Sequence, residues 1–598
     1  MTRAAALAVA GSLALLGCGD SEPAEPGDQP CAPKVQNLPE PVRTTPRWAF
    51  EPWISKDISD GPDTYAFVEG FQSRDIPVGV VVLDSPWETN YNSLIPNPER
   101  YPDFEKMVAD LSDRGVRVVL WTTQMINYNS FDLEPGGDAY DGPSPNLQEG
   151  LDCGYFVEDG DPFAWWKGQG AALDFFNPRA AEWWHRQQKP LFDMGVSGFK
   201  LDFGEEYITK DPMQTAAGAI TKQEYSERYY QDFLKYGQLT RGRDDFVTMV
   251  RPYDASYGFP GRFFARPEHA PVAWVGDNRR DWLGLEDALD HIFRSARAGY
   301  VVVGSDLGGY LNVNDLNVLE EVPFSQETFA RWTAVAAMTP FMQLHGRANL
   351  APWTMPVRAD ETVVLYRYWA QLHHEMVPYW YSLAERAYAG GPVPLTPIGE
   401  EKDWAGDYRY LIGDAFLVAP ILDDAGVRDV PLPAGSRWLS WWDLTGAPED
   451  GGKTLAQVDV GSQARIPLFL KEGAIVPLEV DGTLTGFGAD ASKDAAMVLL
   501  WPGPTGSEFT LVDADKKSTQ IEAKTGSVTL SRARTAVTLV IRVETAPSSV
   551  SLDQQPLEAV ADRAALASAE RGYFVDASGR LAYVKLPASD AAQSVELK

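Results

Sequence analysis

Cysteine and histidine are scarce in this chain, with three Cys and six His in 598 residues. Neither H-E-x-x-H nor paired C-x-x-C occurs, and the adjacent His373 and His374 point in different directions on any regular element, so no metal centre is expected. Basic residues are also in short supply: 52 Lys and Arg stand against 84 Asp and Glu, a formal charge of -32 spread along the chain rather than gathered in a tail. Phosphate backbones need a basic footprint, which excludes nucleic acid as a partner. There is no G-x-x-x-x-G-K-[ST], and no strand runs into a G-x-G-x-x-G that opens a helix, so nucleotide chemistry lacks its cradle and no cofactor is implied. A serine triad lacks its elbow, since no G-x-S-x-G lies on a strand-to-helix turn. Beyond the first 18 residues nothing approaches transmembrane length without charges.

What is present begins with an export signal. Arg3 supplies a short positive region, and residues 4–16 form an apolar run too short to span a bilayer. The run ends in Leu15-Leu16-Gly17-Cys18, which resembles the bacterial lipobox, where the cysteine is lipidated and becomes the mature N-terminus. Residues 1–18 are therefore expected to be a lipoprotein-type signal and residues 19–44, rich in Asp, Glu, Pro and Gly at their start, a flexible tether. The chain is expected at the cell envelope, periplasmic or outer, touching the membrane only through this anchor. Export permits the two remaining cysteines, Cys31 and Cys153, to pair.

From about residue 45 short apolar runs alternate with amphipathic stretches, the pattern of βα units. Strands are expected at 48–53, 78–84, 116–122, 198–202, 246–251, 272–277, 301–306 and 341–345. Helices are expected at 103–114, 178–194, 222–236, 282–297 and 326–338. Eight such units over residues 45–385 predict a (β/α)8 barrel of the α/β class, whose functional groups sit at the C-terminal strand ends. Asp84, Trp121, Asp202, Arg251, Asp277, Asp306 and His345 lie at or beside those ends. After residue 385 the texture changes to short strands between Gly, Pro and Asp turns, which predicts two antiparallel β-sandwich domains, 386–480 and 481–598.

The barrel is organised around Gly198-Phe199-Lys200-Leu201-Asp202-Phe203-Gly204-Glu205-Glu206. By the period-2 rule Lys200 and Asp202 share one side and Phe199, Leu201 and Phe203 the other. A carboxylate carried inward must be paired or used, and Lys200 favours its charged form. Asp277 has the opposite setting: Val272-Ala273-Trp274-Val275-Gly276 is apolar enough to desolvate it, and Asn278 is placed to hydrogen-bond it. One ionised and one protonated carboxyl is what glycoside hydrolysis requires. The 19 Trp, 24 Tyr and 26 Phe suit a chain that stacks sugar rings, although aromatics also build cores.

Phe199-Lys200-Leu201-Asp202-Phe203-Gly204-Glu205 resembles the nucleophile motif of glycoside hydrolase family 31, in the form of its α-xylosidase and sulfoquinovosidase branches. Trp274-Val275-Gly276-Asp277-Asn278 is similar to its acid/base segment. Val82-Leu83-Asp84 with Trp87, Asp174-Phe175-Phe176-Asn177-Pro178, Gly304-Ser305-Asp306-Leu307-Gly308-Gly309-Tyr310 and Pro340-Phe341-Met342-Gln343-Leu344-His345-Gly346 follow in the family's order. The resemblance runs from about residue 45 to 480. It implies a retaining, exo-acting α-glycosidase working by double displacement on terminal α-linked sugars, with Asp202 as nucleophile and Asp277 as general acid/base. It also implies that Asp84, Lys200, Arg266 and His345 bind the terminal sugar and that Trp121, Trp274 and Tyr310 wall it. Asp306 is a ligand contact or a partner of Arg266, and Glu205 a structural neighbour. Asp84-Ser85-Pro86-Trp87 departs from the common versions, which leaves α-xyloside, α-glucoside and α-galactoside open. Family members usually carry a β-sandwich before the barrel. Here part of the wall is expected from the insertions 128–170 or 253–267, or from a partner subunit. The alternatives are a transglycosylase using the same covalent intermediate and a non-catalytic surface carbohydrate-binding protein.

Overall fold

The computed structural model describes residues 31–131, 142–462 and 465–598; Cys18 and the signal segment lie outside the described residues. Eight parallel strands form the central sheet. They are β1 (Trp53–Lys56), β2 (Val80–Leu83), β3 (Arg117–Thr122), β4 (Gly198–Leu201), β5 (Val247–Val250), β6 (Val272–Trp274), β7 and β8 (Gln343–Leu344). Strand β7 comes in two pieces on either side of Ser305: Val303–Gly304 pairs with β6 and Asp306–Leu307 pairs with β8. Since β8 also pairs with β1, the sheet closes on itself through this broken strand, a (β/α)8 barrel.

The first strand is a correction. The sequence placed it at 48–53, but Arg47–Phe50 is a 3-10 turn and the strand runs Trp53–Lys56. Pro52 has no N–H for the ladder and disfavours helical geometry before it, so pairing starts only at Trp53. The longer helices pack around the barrel. In chain order they are α1 (Gly61–Gln72), α2 (Phe104–Asp113), α3 (Pro178–Asp193), α4 (Lys222–Arg241), α5 (Trp282–Arg297), α6 (Gln326–Ala337), α7 (Ala359–Glu375) and α8 (Val377–Tyr388). Local sequence sets their starts: Asn177 caps α3 ahead of Pro178, and Thr221 with Glu224 forms a capping box on α4. No helix among the described residues is long and apolar enough to cross a membrane.

Residues 19–44 were expected to be a flexible tether, but the described part, residues 31–44, is tied down at several points. Cys31 is disulfide-bonded to Cys153, the Gln36 amide donates to Glu182, and Glu40 accepts from Lys235 on α4 at 2.6 Å. Behind the barrel a six-stranded sheet and a two-stranded ribbon make the proximal β module, and sheets of five and six strands make the distal one. The boundary expected at 480 is corrected. Ile475–Val480 pairs antiparallel with Ala495–Leu500 in the distal sheet, whereas Leu468–Lys471 belongs to the proximal one. Gly473, at φ +94, makes the turn between them. The distal sheet also contains one parallel pair, Ala495–Leu500 beside Val537–Arg542.

Candidate active site

The site lies where β2 to β8 end, and its centre is the fully buried guanidinium of Arg251, one residue past β5. Its Nε donates to Asp202 Oδ1 at 2.9 Å and its Nη2 to Asp277 Oδ2 at 3.1 Å, while Nη1 donates to Asp254 Oδ2. Three carboxyls thus share one cation. Below it lies the fully buried ring of Trp274, with the Arg251 Cζ 4.8 Å from its centroid and the Lys200 Nζ 5.2 Å from it.

The two outer carboxyls differ in their surroundings. Asp202 follows β4 directly; its Oδ2 accepts from the Trp121 indole at 3.0 Å and its Oδ1 from the Phe203 amide at 2.9 Å. Burial alone would raise its carboxyl, but Arg251, Lys200 and these two donors outweigh burial and hold it below the ordinary value. Among the described residues the Asp277 carboxyl accepts from Arg251 alone, and Asp202 and Asp254 lie nearby as like charges. Burial, with those two charges against Arg251 and Lys200, pushes its carboxyl up to about 6. At neutral pH and just below, the pair is one anion and one readily protonated acid.

Lys200 does not touch Asp202. Its Nζ donates to Asp84 Oδ2 at 2.8 Å and lies 3.1 Å from His345 Nε2, and it acts on Asp202 through its field alone. Asp84 and His345 are both buried, and the His345 ring packs on Tyr310 with centroids 4.9 Å apart. The Tyr310 hydroxyl donates to Asp57 Oδ2 at 2.9 Å. Asp57, Asp84 and His345 present ligand atoms within 4.8 Å of one another, the spacing of a metal cage. The ammonium of Lys200 reaches into the same group through its bond to Asp84.

Arg266 is a correction. It was expected against the terminal sugar, but it begins the 3-10 turn Pro267–His269 outside the barrel, its side chain is 60% exposed, and it pairs with Glu227 of α4. Asp306 accordingly does not meet Arg266. It is fully buried, accepts from the Gln343 amide at 2.7 Å, and burial pushes its carboxyl up to about 7 against the pull of Lys200. Glu205 lies under the rim, accepting from Ser226 with Arg262 3.5 Å away. Trp121 and Trp274 form the buried floor, and the partly open aromatic surface comes from both insertions. Trp166 packs 5.7 Å from Phe203 and 5.1 Å from Tyr207, and Phe259 lies 6.0 Å from Tyr207. Trp165 lies parallel to Trp121 at 6.4 Å.

The sequence reading missed four contributors. Arg251 had been noticed only as a polar strand end, Asp254 and Ser256 lie in its loop, and Asp57 went unseen because β1 was placed too early. With β1 at Trp53–Lys56, Asp57 falls one residue past the strand, where the rule that found the others would have found it.

The fold and site define a class: a (β/α)8 barrel whose strand ends gather an ionised and a protonable carboxyl, backed by two β modules. The profile described as "Glycosyl hydrolases family 31 TIM-barrel domain" matches residues 42–383, and the "Glycosyl hydrolase family 31 C-terminal domain" matches residues 392–476. The chain belongs to glycosyl hydrolase family 31. Among curated relatives it is 24% identical over 455 residues to alpha-glucosidase 2 of Bacillus thermoamyloliquefaciens, covering 72% of this chain and 53% of that one. It is also 24% identical over 612 residues to the isomaltosyltransferase of Sporosarcina globispora, covering 92% and 53%. The chain therefore spans about half the length of these relatives. Its fold is similar to that of the cycloalternan-forming enzyme from Listeria monocytogenes, with a TM-score of 0.77, 22% identity, and 93% of this chain and 55% of that one covered.

Proposed function

We propose that this protein is a retaining, exo-acting α-glycosidase that cleaves terminal α-xylosyl, α-glucosyl or α-galactosyl residues by double displacement. The observation that carries the reading is the sharing of Arg251 between an anionic Asp202 and a protonable Asp277. Asp202 attacks the anomeric carbon while Asp277 protonates the departing oxygen, and the glycosyl group is held as an ester on Asp202. Asp277, now ionised, then takes a proton from water, which attacks the anomeric carbon and frees Asp202. Asp84, Lys200 and His345 form the polar cluster beside the pair that would grip the sugar hydroxyls, and Trp166, Tyr207 and Phe259 line the approach for the leaving group. The linked burial of Asp306 and Gln343 supports the floor.

Asp202→Ala should abolish turnover of aryl α-glycosides, and full activity in that variant would remove the nucleophile assignment. A second reading has an observation of its own, since the match to the isomaltosyltransferase runs over 92% of this chain. In that reading a sugar hydroxyl replaces water in the second step, and product analysis at high acceptor concentration separates the two. We also propose export and anchoring through Cys18; the Cys31–Cys153 bridge supports export, since such bonds persist in oxidising compartments.

A further inference from the structure

We propose that Asp254 is a positioning residue for the carboxyl pair, holding the Arg251 guanidinium from behind and the Asp277 backbone from beside it. The inference rests on the reading of Asp202 and Asp277 given above. Asp254 is buried, with 3% of its side chain exposed, and its two oxygens are engaged by Arg251 and Ser256 rather than turned toward the reacting carboxyls, so it is not itself a catalytic residue.

Two routes lead from it to the reacting groups. Through Oδ2 it accepts from Arg251 Nη1, on the edge of the guanidinium away from the donors that serve Asp202 and Asp277. A planar guanidinium pinned at three nitrogens cannot rotate, so both carboxyls meet fixed donors. Through Oδ1 it accepts from the Ser256 amide at 2.9 Å and the Ser256 hydroxyl at 2.6 Å, and that hydroxyl oxygen accepts from the Asp277 amide at 3.2 Å. The carboxylate also lies against the peptide before Asp277. Gly276 has φ +88, and a Cβ there would come 2.4 Å from Asp254 Oδ2, so the approach requires glycine. The loop that brings Asp254 and Ser256 round holds Tyr257 at φ 56, an uncommon conformation for such a residue.

The arrangement also has an electrostatic consequence. The groups facing Asp277 are Arg251 of the β5 end, Lys200 of β4 and Asp202 just past it, Tyr207 of the following turn, Asp306 of β7, and Asp254. Asp254 in turn faces Arg251 and, at 3.9 Å, His291 of α5. By taking a share of the Arg251 charge, Asp254 leaves less of it to stabilise the anion of Asp277, and this favours the protonated acid.

The test uses the full chain with Asp254→Asn and Ser256→Ala, measured across pH on aryl α-glycosides with good and poor leaving groups. Asp254→Asn is expected to move the basic limb of kcat/KM down by about one pH unit. It should lower kcat about tenfold or more on a poor leaving group and less on dinitrophenol, which needs little proton assistance. Ser256→Ala should lower kcat with the limb unmoved. An Asp254→Asn enzyme with the wild-type limb overturns the proposal, whether or not kcat falls. Should that variant misfold, Asp254→Ser removes the same charge with fewer atoms and is read the same way. A wild-type chain inactive on every α-glycoside would overturn the glycosidase reading instead.

Discussion

Arg251→Lys is the perturbation that tests the centre of the site most sharply, because it keeps the charge and removes the fork. The guanidinium serves three buried carboxyls through three separate nitrogens, with its Cζ 3.9 Å over the Phe203 ring. A lysine ammonium is a point charge on a flexible stem and reaches one or two of those acceptors at a time. With hydrogen bonds to charged groups at about 1.5–3 kcal/mol each, losing one or two costs roughly 2–6 kcal/mol, divided between the folded state and the transition state. If half of that falls on the transition state, kcat drops about 5- to 150-fold at 1.36 kcal/mol per decade. Asp277, freed from a fixed donor, should titrate at higher pH, so the basic limb should move up, opposite to Asp254→Asn. The assay is kcat and kcat/KM against pH beside a thermal melt. An Arg251→Lys enzyme with wild-type kcat, limb and Tm would refute the claim that the fork geometry organises the pair.

Other outcomes follow from the same structure. The basic limb of kcat/KM should fall near pH 6, since the Asp277 carboxyl is pushed up to about 6 and the acid is lost as pH rises through it; a limb above about pH 8 would contradict the environment described. Gly276→Ala should destabilise the chain by about 1–3 kcal/mol and depress kcat, because it strains φ +88 and drives a methyl into Asp254. Cys153→Ser opens a bridge between residues 122 apart and should cost about 2–5 kcal/mol, read as a lowered Tm that reducing agent reproduces in the wild type. Arg266→Ala should leave kcat and KM unchanged and alter stability by no more than about 1 kcal/mol, as an exposed pair does; a large rise in KM would restore it to the sugar site.

Much of the site was legible because β-strand alternation and the strand-end rule are local. Lys200 and Asp202 reach the same interior, as the period predicts, but Phe203, past the strand's end at Leu201, turns to the site as well, with the Arg251 Cζ 3.9 Å over its ring; the apolar run before Asp277 does desolvate it. What escaped notice depended on the third dimension. Choosing Arg266 over Arg251 turned on which arginine the loop after β5 folds inward, and that loop doubles back through a short antiparallel pair, Tyr253–Asp254 with Arg262–Phe263. Asp306 was legible as a polar strand end, but its partner Gln343 becomes adjacent only when the broken β7 pairs with β8. The domain boundary was misplaced because Leu468–Lys471 and Ile475–Val480 are separated by only three residues, and only their pairing assigns them to different sheets. Part of the wall was expected from the insertion 128–170 or 253–267 or from a partner subunit; Trp166 and Phe259 lie in the two insertions, yet no spacing rule would have singled out those rings from their neighbours.

The central claim is that Asp202 becomes covalently glycosylated while Asp277 works as the acid. Trapping with a 5-fluoro-α-glycosyl fluoride, followed by proteolysis and mass spectrometry, tests it directly. The label is expected on the peptide carrying Phe199-Lys200-Leu201-Asp202, at Asp202. A label on Asp277 or Asp306, or rapid turnover of substrate with no trapped ester for any of the three sugars, would contradict it.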